Sequence, residues 1–304
     1  MPYKTLLIFN PIANLGRAWR LADSLRAAAA ECGGADWKAT EYPGHAVELA
    51  RQAGEAGYDL VVAMGGDGTV HEVVNGLMQL EPEHRPLLGV IPTGSGNDFS
   101  YALKLPGDPA QALRQVLTGV PVPVDIGRVT DEHGHSQYWC NAIGIGFDTI
   151  VTIHTRKGKI FQGFMVFLLS VLQTILFDYK PFHIQYNMDG ETHTEDSIMM
   201  VLCNGGREGG GFYVAPGADP CDGTFQYVGV RRISRLQMLA TLPHFLKGTQ
   251  NGLPQVFNGG FQNLNLKSDQ PLYIHADGEI IAGIDGEVKE LTGEMLHGAL
   301  KAVC

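Results

Sequence analysis

Acidic side chains set among glycines recur along this 304-residue chain in patterns suited to phosphate chemistry. The densest is Met64-Gly65-Gly66-Asp67-Gly68-Thr69-Val70-His71-Glu72. Glycines let backbone N–H groups turn toward a ligand at close range, and a helix N-terminus behind them favours negative charge. Asp67 adds an anion among those donors, which makes sense where a cation or a proton must also be managed. Thr69 and Glu72 have the spacing of a capping box, opening a helix through Val73, Val74 and Leu77. The same residues would equally make a tight, well-capped turn with no ligand. Two further polar loops carry similar residues: Asn10-Pro11-Ile12-Ala13-Asn14-Leu15-Gly16 and Pro92-Thr93-Gly94-Ser95-Gly96-Asn97-Asp98.

Each loop follows a short apolar run and precedes a helical pattern. Thr5–Phe9, Leu60–Met64 and Leu87–Ile91 read as buried parallel strands, with Trp37–Glu41 as a fourth. Helices are predicted over Ala18–Ala30, from about His45 to Ala56, after Thr69 and from Phe99. This alternation predicts βαβ units and a Rossmann-like parallel sheet, whose ligands bind beyond the carboxyl ends of the strands. All three loops lie there, so they are predicted to converge.

After Pro121-Val122-Pro123-Val124-Asp125 the pattern changes. Tyr138–Ala142, His183–Met188, Ile198–Cys203, Phe225–Val230 and Leu272–His275 read as strands separated by turn signals such as Asp189-Gly190 and Asp222-Gly223. The fold class is therefore α/β followed by a β-rich, sandwich-like domain. Boundaries are set at residues 1–127 for the first domain and 128–291 for the second. Glu294–Val303 reads as a helix, and the segment 292–304 is predicted to rejoin the first domain.

Composition narrows the chemistry. A hydrophobic fraction of 44% with 18% charged residues suits folded domains, and the length allows two cores. The net charge of −10 leaves no basic excess to displace counterions, which argues against nucleic acid. The five cysteines, Cys32, Cys140, Cys203, Cys221 and Cys304, are odd in number and form no C-x-x-C pair. Neither a zinc knuckle nor a disulfide framework is supported, which fits a reducing, cytoplasmic setting. Met-Pro-Tyr-Lys runs into the first strand too soon for a signal peptide. No Walker A motif occurs, and Gly94-Ser95-Gly96 and Gly144-Ile145-Gly146 lack the third glycine of a dinucleotide fingerprint.

Asn10-Pro11, Gly65-Gly66-Asp67-Gly68-Thr69, Pro92 to Phe99 and Asp277-Gly278-Glu279 together resemble the diacylglycerol kinase catalytic-domain family, which includes bacterial lipid kinases and relatives of sphingosine and ceramide kinases. The motifs run in order over nearly the whole chain. The glycine–aspartate loop alone is shared with NAD kinases, while Asn97-Asp98-Phe99 and the late Asp-Gly-Glu are more specific. The resemblance implies phosphoryl transfer from ATP, with Mg²⁺, to a lipid hydroxyl in an interdomain cleft, diacylglycerol being the first choice of acceptor. It places nucleotide contacts on Asn10, Pro11, Ile12, Ala13 and Asn14, on Thr40, on Gly66, Asp67, Gly68, Thr69, Val70, His71 and Glu72, and on Ser95. Family members usually carry Thr at this last position; the hydroxyl is kept. Asp67, Asp98 and Asp125 would stand near the metal and phosphates, and Glu279 would accept the hydroxyl proton with Asp277 beside it. Phosphoryl transfer is mostly positioning and charge neutralisation, so these residue types suffice. A structural Mg²⁺ is implied at Asp219, Asp222 and Thr224.

Each assignment has a plainer alternative. Asp98 reads also as a helix-capping carboxylate, Asp125 as a turn residue at a hinge, and Asp277-Gly278-Glu279 as a hairpin turn with an exposed acid. Asp285-Gly286-Glu287 repeats the tripeptide, but only the first copy follows the strand Leu272–His275. Asp222-Gly223 alone makes a β-turn. His71 suits either nucleotide contact or a helix surface, and His133-Gly134-His135 a solvated hairpin loop. An NAD kinase and a catalytically inactive lipid- or nucleotide-binding protein are the competing functions.

Ile160 to Phe177 is an apolar run behind the basic patch Arg156-Lys157-Gly158-Lys159. Its polar interruptions argue against a membrane span and leave a buried helix or an interfacial one. Transient peripheral contact with a membrane surface through residues 156–177 is the partner expectation. The sequence leaves the oligomeric state open, a homodimer included.

Overall fold

The computed structural model describes residues 3–13, 17–157, 164–283 and 285–304. Two units emerge, Met1–Ile126 with His297–Cys304, and Gly127–Leu296.

In the first unit, β1 (Thr5–Phe9), α1 (Arg17–Glu31), β2 (Asp36–Ala39), α2 (His45–Glu55), β3 (Leu60–Gly65), α3 (Asp67–Leu77), β4 (Leu87–Pro92), α4 (Asp98–Ala102) and α5 (Pro109–Thr118) alternate in order. The strands are parallel in the order β4-β3-β1-β2, with Leu7 opposite Val62 and Trp37, and Val62 opposite Gly89. Every residue of β1 and β3 is buried, because helices cover both faces of such a sheet. Helix α2 turns Ala46, Leu49, Ala50 and Ala53 inward, one stripe at helical spacing. It lies close to α3 because a Cβ at Gly76 would collide with the Val47 carbonyl.

The chain enters the second unit within β5 (Pro121–Asp131), which forms a hairpin with β6 (Ser136–Trp139). Then follow β7 (Ala142–Gly146), α6 (Phe147–Lys157), α7 (Phe164–Phe177), β8 (Phe182–Met188), β9 (Glu191–Cys203), β10 (Phe225–Arg231), α8 (Arg235–Lys247), β11 (Val256–Phe261), β12 (Asn263–Ser268), β13 (Ile274–Ala276), β14 (Glu279–Ala282) and β15 (Glu290–Val303). The long β9 bonds antiparallel to β8 through its first half, to β7 through its second, and to β10. Its apolar run serves two cores. Met200 and Leu202 join Trp139, Phe225 and Leu264 on one face, while Met199, Val201 and Cys203 meet residues of α6, α7 and α8 on the other. Burial pushes the Cys203 thiol well above its ordinary pKa, so it packs as an apolar group.

Three departures from the sequence reading have physical causes. Glu294–Val303 is not a helix: it belongs to β15, where Leu291 pairs with Leu266 and Ala302 lies beside Leu88 of β4. Helix-favouring residues there yield to sheet pairing, and Gly298 takes a left-handed φ of 58° that no helix interior accepts. Tyr138–Ala142 is not one strand, because Cys140 and Asn141 turn their N–H groups onto Asp277. Helix α8 interrupts the predicted run of strands, and Ser234 and Gln237 form the capping box that marks its start.

Candidate active site

The first unit gathers its glycine-bearing loops on one edge. Strand β3 lies between β1 and β4, and all three point the same way. The loop after β1 is tied by the Asn10 N–H to the Met64 carbonyl at 3.1 Å, and Asn10 Oδ1 accepts the Ile12 N–H. Pro11 and Ala13 lie in this turn with an exposed Ile12, and Thr40 donates its N–H to Phe9. Asn14 lies outside the described residues.

After β3 and β4 the two loops meet backbone to backbone. A Cβ on Gly94 would collide with the Gly66 Cα, so glycine is required at this approach. Asn97, at a left-handed φ of 54°, closes the second loop by accepting the Gly94 N–H and donating to the Gly94 carbonyl. Ser95 stands exposed at its tip. Asp67 Oδ1 then accepts the N–H groups of Asp98 at 2.7 Å and Phe99 at 3.3 Å. The Asp67 and Asp98 carboxylates both crowd the space beside Gly96. Two neighbouring carboxylates and the N-terminus of α3 suit a hard cation together with phosphate oxygens. The residues present thus fit a metal–nucleotide ligand.

The helix behind Asp67 is not opened by the capping box read from the sequence. Gly66 is the N-cap of α3, and Thr69 is buried with its side chain packed over Gly65. Glu72 reaches across to α2, where its two oxygens accept the Gly44 and Ala46 N–H groups at 2.9 and 3.1 Å. Val70 is buried in α3, while Gly68 and Glu72 are half-buried. His71 is buried too, which removes the helix-surface alternative; its carbonyl accepts from Asn75.

Asp125 is buried within β5. Its Oδ1 accepts the Gly298 N–H at 2.8 Å and lies 2.7 Å from His297 Nδ1. No sequence signal marks His297, because its strand has the composition of a helix.

In the second unit, Asp277 and Gly278 form the turn between β13 and β14, both at left-handed φ (50° and 85°). This is the hairpin turn of the plainer alternative, with Glu279 its part-exposed acid, whereas Asp277 is only 6% exposed. Its carboxylate accepts N–H groups from Cys140, Asn141 and Ala142 at 2.8–3.0 Å. Glu279 opens β14, half-exposed, with Oε2 2.6 Å from Arg156 Nη2. Arg156 Nη2 also donates to the Gly278 carbonyl at 2.7 Å.

Behind this turn, Asp148, Glu208 and His275 bring ligand-type atoms within 4.8 Å of one another. The hydrogen bonds oppose a metal at the imidazole. His275 Nδ1 accepts the Gly278 N–H at 3.2 Å, so the proton sits on Nε2, 2.7 Å from Asp148. A metal on Nε2 would force a proton onto Nδ1, facing another N–H. This group works as a prop for the turn. No sequence motif marks it, since its members come from three separate elements.

At the implied structural cation site, Asp219 Oδ1 accepts the Cys221 N–H and Asp222 Oδ1 the Thr224 N–H, at 3.1 and 2.9 Å. At the hairpin after β5, Asp131 accepts N–H groups from His133 and His135.

Residues 4–129 match the diacylglycerol kinase catalytic domain, and residues 141–303 the YegS C-terminal NAD kinase beta sandwich-like domain. A Chromohalobacter salexigens protein named "Probable lipid kinase YegS-like" is 36% identical over 78% of this chain and 74% of its own length. The Bacillus subtilis diacylglycerol kinase is 31% identical over 83% and 82% of the two chains. A crystal structure of a diacylglycerol kinase from Bacillus anthracis superposes with a TM-score of 0.75 at 22% identity, covering 99% of this chain and 97% of that one. The paired glycine loops with their carboxylates, and these matches over both units, lead to one conclusion: the chain belongs to the diacylglycerol kinase catalytic-domain family and is a lipid kinase.

Proposed function

We propose that this lipid kinase transfers the γ-phosphoryl group of ATP, with Mg²⁺, to the hydroxyl of diacylglycerol, giving phosphatidic acid. The observation that carries the reading is the Asp67–Asp98 pair, joined by a hydrogen bond beside Gly66, Gly94 and Gly96. The loops after β1, β3 and β4 would bind the nucleotide, and Asp67 and Asp98 would hold the metal. A bound Mg²⁺ supplies neutralisation of charge on the phosphates. Buried Asp125 would add negative charge to the same unit. Glu279 takes the proton of the acceptor hydroxyl as its oxygen bonds to Pγ and the Pγ–O bond to ADP breaks. Asp277 and His275 keep the Glu279 turn in place. The diacylglycerol kinase name of the Bacillus subtilis relative supports that acceptor.

The test is incubation of the pure protein with γ-labelled ATP, Mg²⁺ and either diacylglycerol, a total lipid extract, or NAD. Labelled phosphatidic acid that disappears in Glu279→Gln supports the reading. Label only in another lipid overturns the acceptor, and label only in NADP overturns the reading.

A further inference from the structure

Helix α6 grips the Asp277–Gly278 turn from both of its ends. In its first turn, Asp148 Oδ2 lies 2.7 Å from His275 Nε2, and His275 Nδ1 accepts the Gly278 N–H. Beside it, Thr149 Oγ1 donates to the carbonyls of Gly144 and Tyr273 at 2.8 and 3.1 Å, which seats the helix against β7 and the approach to β13. In its last turn, about two helical turns further on, Arg156 Nη2 donates to the Gly278 carbonyl and stands 2.6 Å from Glu279 Oε2. Both backbone polar groups of Gly278 are therefore committed, the N–H to His275 and the carbonyl to Arg156. Asp277 already holds the turn through the N–H groups of Cys140, Asn141 and Ala142, so the contact at Arg156 adds little to the fold. What it adds is a fixed partner for the Glu279 carboxylate.

We propose that Arg156 is a positioning residue for Glu279: its guanidinium ties the carboxylate to the backbone of its own turn, with Oε2 on the cation and Oε1 turned to the acceptor hydroxyl. The proposal rests on the lipid-kinase reading, in which Glu279 takes that proton. An exposed ion pair stabilises a fold little, and these side chains are 46 and 41% exposed. The value of the pair lies in direction instead. A glutamate side chain has several rotatable bonds, and a freely turning carboxylate is seldom within reach of one hydroxyl. Arg156 restricts that freedom, because the nitrogen that meets the carboxylate is itself fixed by the Gly278 carbonyl. The loose transition state of phosphoryl transfer asks for placement more than for a strong base, so a carboxylate held by a cation still serves. The hydroxyl proton passes to Oε1 as the acceptor oxygen bonds to Pγ and ADP departs, while the guanidinium neither gains nor loses a proton.

Kinetics in neutral detergent micelles with diacylglycerol, ATP and Mg²⁺ give the first test. Arg156→Gln should lower kcat about tenfold or more, while KM for ATP stays within about twofold. Arg156→Lys keeps the charge without the planar group and should recover only part of kcat. Guanidinium ion at low, non-denaturing concentration should raise the kcat of Arg156→Ala, and equal sodium chloride should not. A second measurement reads the pair without turnover. In protein carrying isotope-labelled arginine, the Arg156 Nη resonances should shift, and the group rotate faster, in Glu279→Ala. A kcat for Arg156→Gln within about twofold of wild type would overturn the proposal. So would a raised KM for the lipid with kcat unchanged, which makes Arg156 an acceptor contact, or an Arg156 signal indifferent to Glu279→Ala. Failure of the kinase reading looks different: wild type transfers nothing to diacylglycerol under any condition, and the arginine signal still decides whether Arg156 holds the carboxylate.

Discussion

Asp67 Oδ1 accepts the amide hydrogen of Asp98 at 2.7 Å, so one acid caps the short helix that begins with the other. Asp67 thereby has a structural task and, in the proposed reaction, a chemical one. Asparagine preserves the acceptor and removes the charge, while alanine removes both. Asp67→Asn should keep stability within about 0.5 kcal/mol, whereas Asp67→Ala should lose about 1 kcal/mol through the lost cap. Both should lose about a hundredfold or more in ATP turnover, because charge is what holds a metal. Urea unfolding and ADP release measure the two effects. Retained turnover in Asp67→Asn would remove Asp67 from the metal site.

Glu72 illustrates a different division of labour. Its carboxylate caps α2 through Gly44 and Ala46, 28 and 26 residues earlier in the chain. Glu72→Ala should cost about 1–2 kcal/mol, read as a lower urea midpoint. Glu72→Gln should recover part of it through its carbonyl oxygen. A contribution to nucleotide binding beyond this would appear as a raised KM for ATP in Glu72→Gln.

The parallel half was legible because buried strands are short apolar runs and each is followed by a glycine loop and a helix. Sequence could not say which carboxylate bonds to which backbone. Thr69 and Glu72 have capping-box spacing, but Gly65 leaves room that Thr69 fills, and Glu72 is drawn to the N–H groups of α2. At the end of the chain, Leu, Ala, Lys and Glu favour a helix locally, yet pairing with β12 and β4 decides the outcome. The Asp277 turn was recognised as a motif, but its burial depends on Cys140, Asn141 and Ala142, some 135 residues away. Long-range polar contacts of this kind leave no periodicity to read.

Glu132 sets a pH dependence of stability. Partial burial pushes its carboxyl up, but the backbone N–H donors of Lys289, of Glu132 itself and of Glu290 outweigh this and hold it below the ordinary glutamate value. A depressed native pKa gives stability that is present above the unfolded value and lost as pH falls through the native one. The wild type should therefore exceed Glu132→Gln in urea midpoint at about pH 6, by less than about 1 kcal/mol for so exposed a group. The difference should vanish near about pH 3, where both carboxyl populations are protonated. A difference constant across that range would mean that the ionised carboxylate is not what holds the start of β15.

Asp277 should prove the most sensitive acid of the second unit. Its two oxygens take three backbone N–H groups at a buried position, and the residue itself sits at a left-handed φ of 50°. Asp277→Ala leaves three buried donors unsatisfied and places a residue with no local polar compensation in a strained conformation. A loss of about 3 kcal/mol or more is expected. Asp277→Asn tolerates the left-handed region and can still accept from Asn141 and Ala142, but it turns an amide toward the Cys140 N–H, for a loss of about 1–2 kcal/mol. Because Glu279 is two residues on, both variants should lower kcat in proportion to the disorder of the turn. Amide hydrogen exchange of residues 140–142 and 277–279 would read that disorder directly. Protection unchanged in Asp277→Ala would mean that the hairpin is held by β13 and β14 alone, and that Asp277 acts on the chemistry itself.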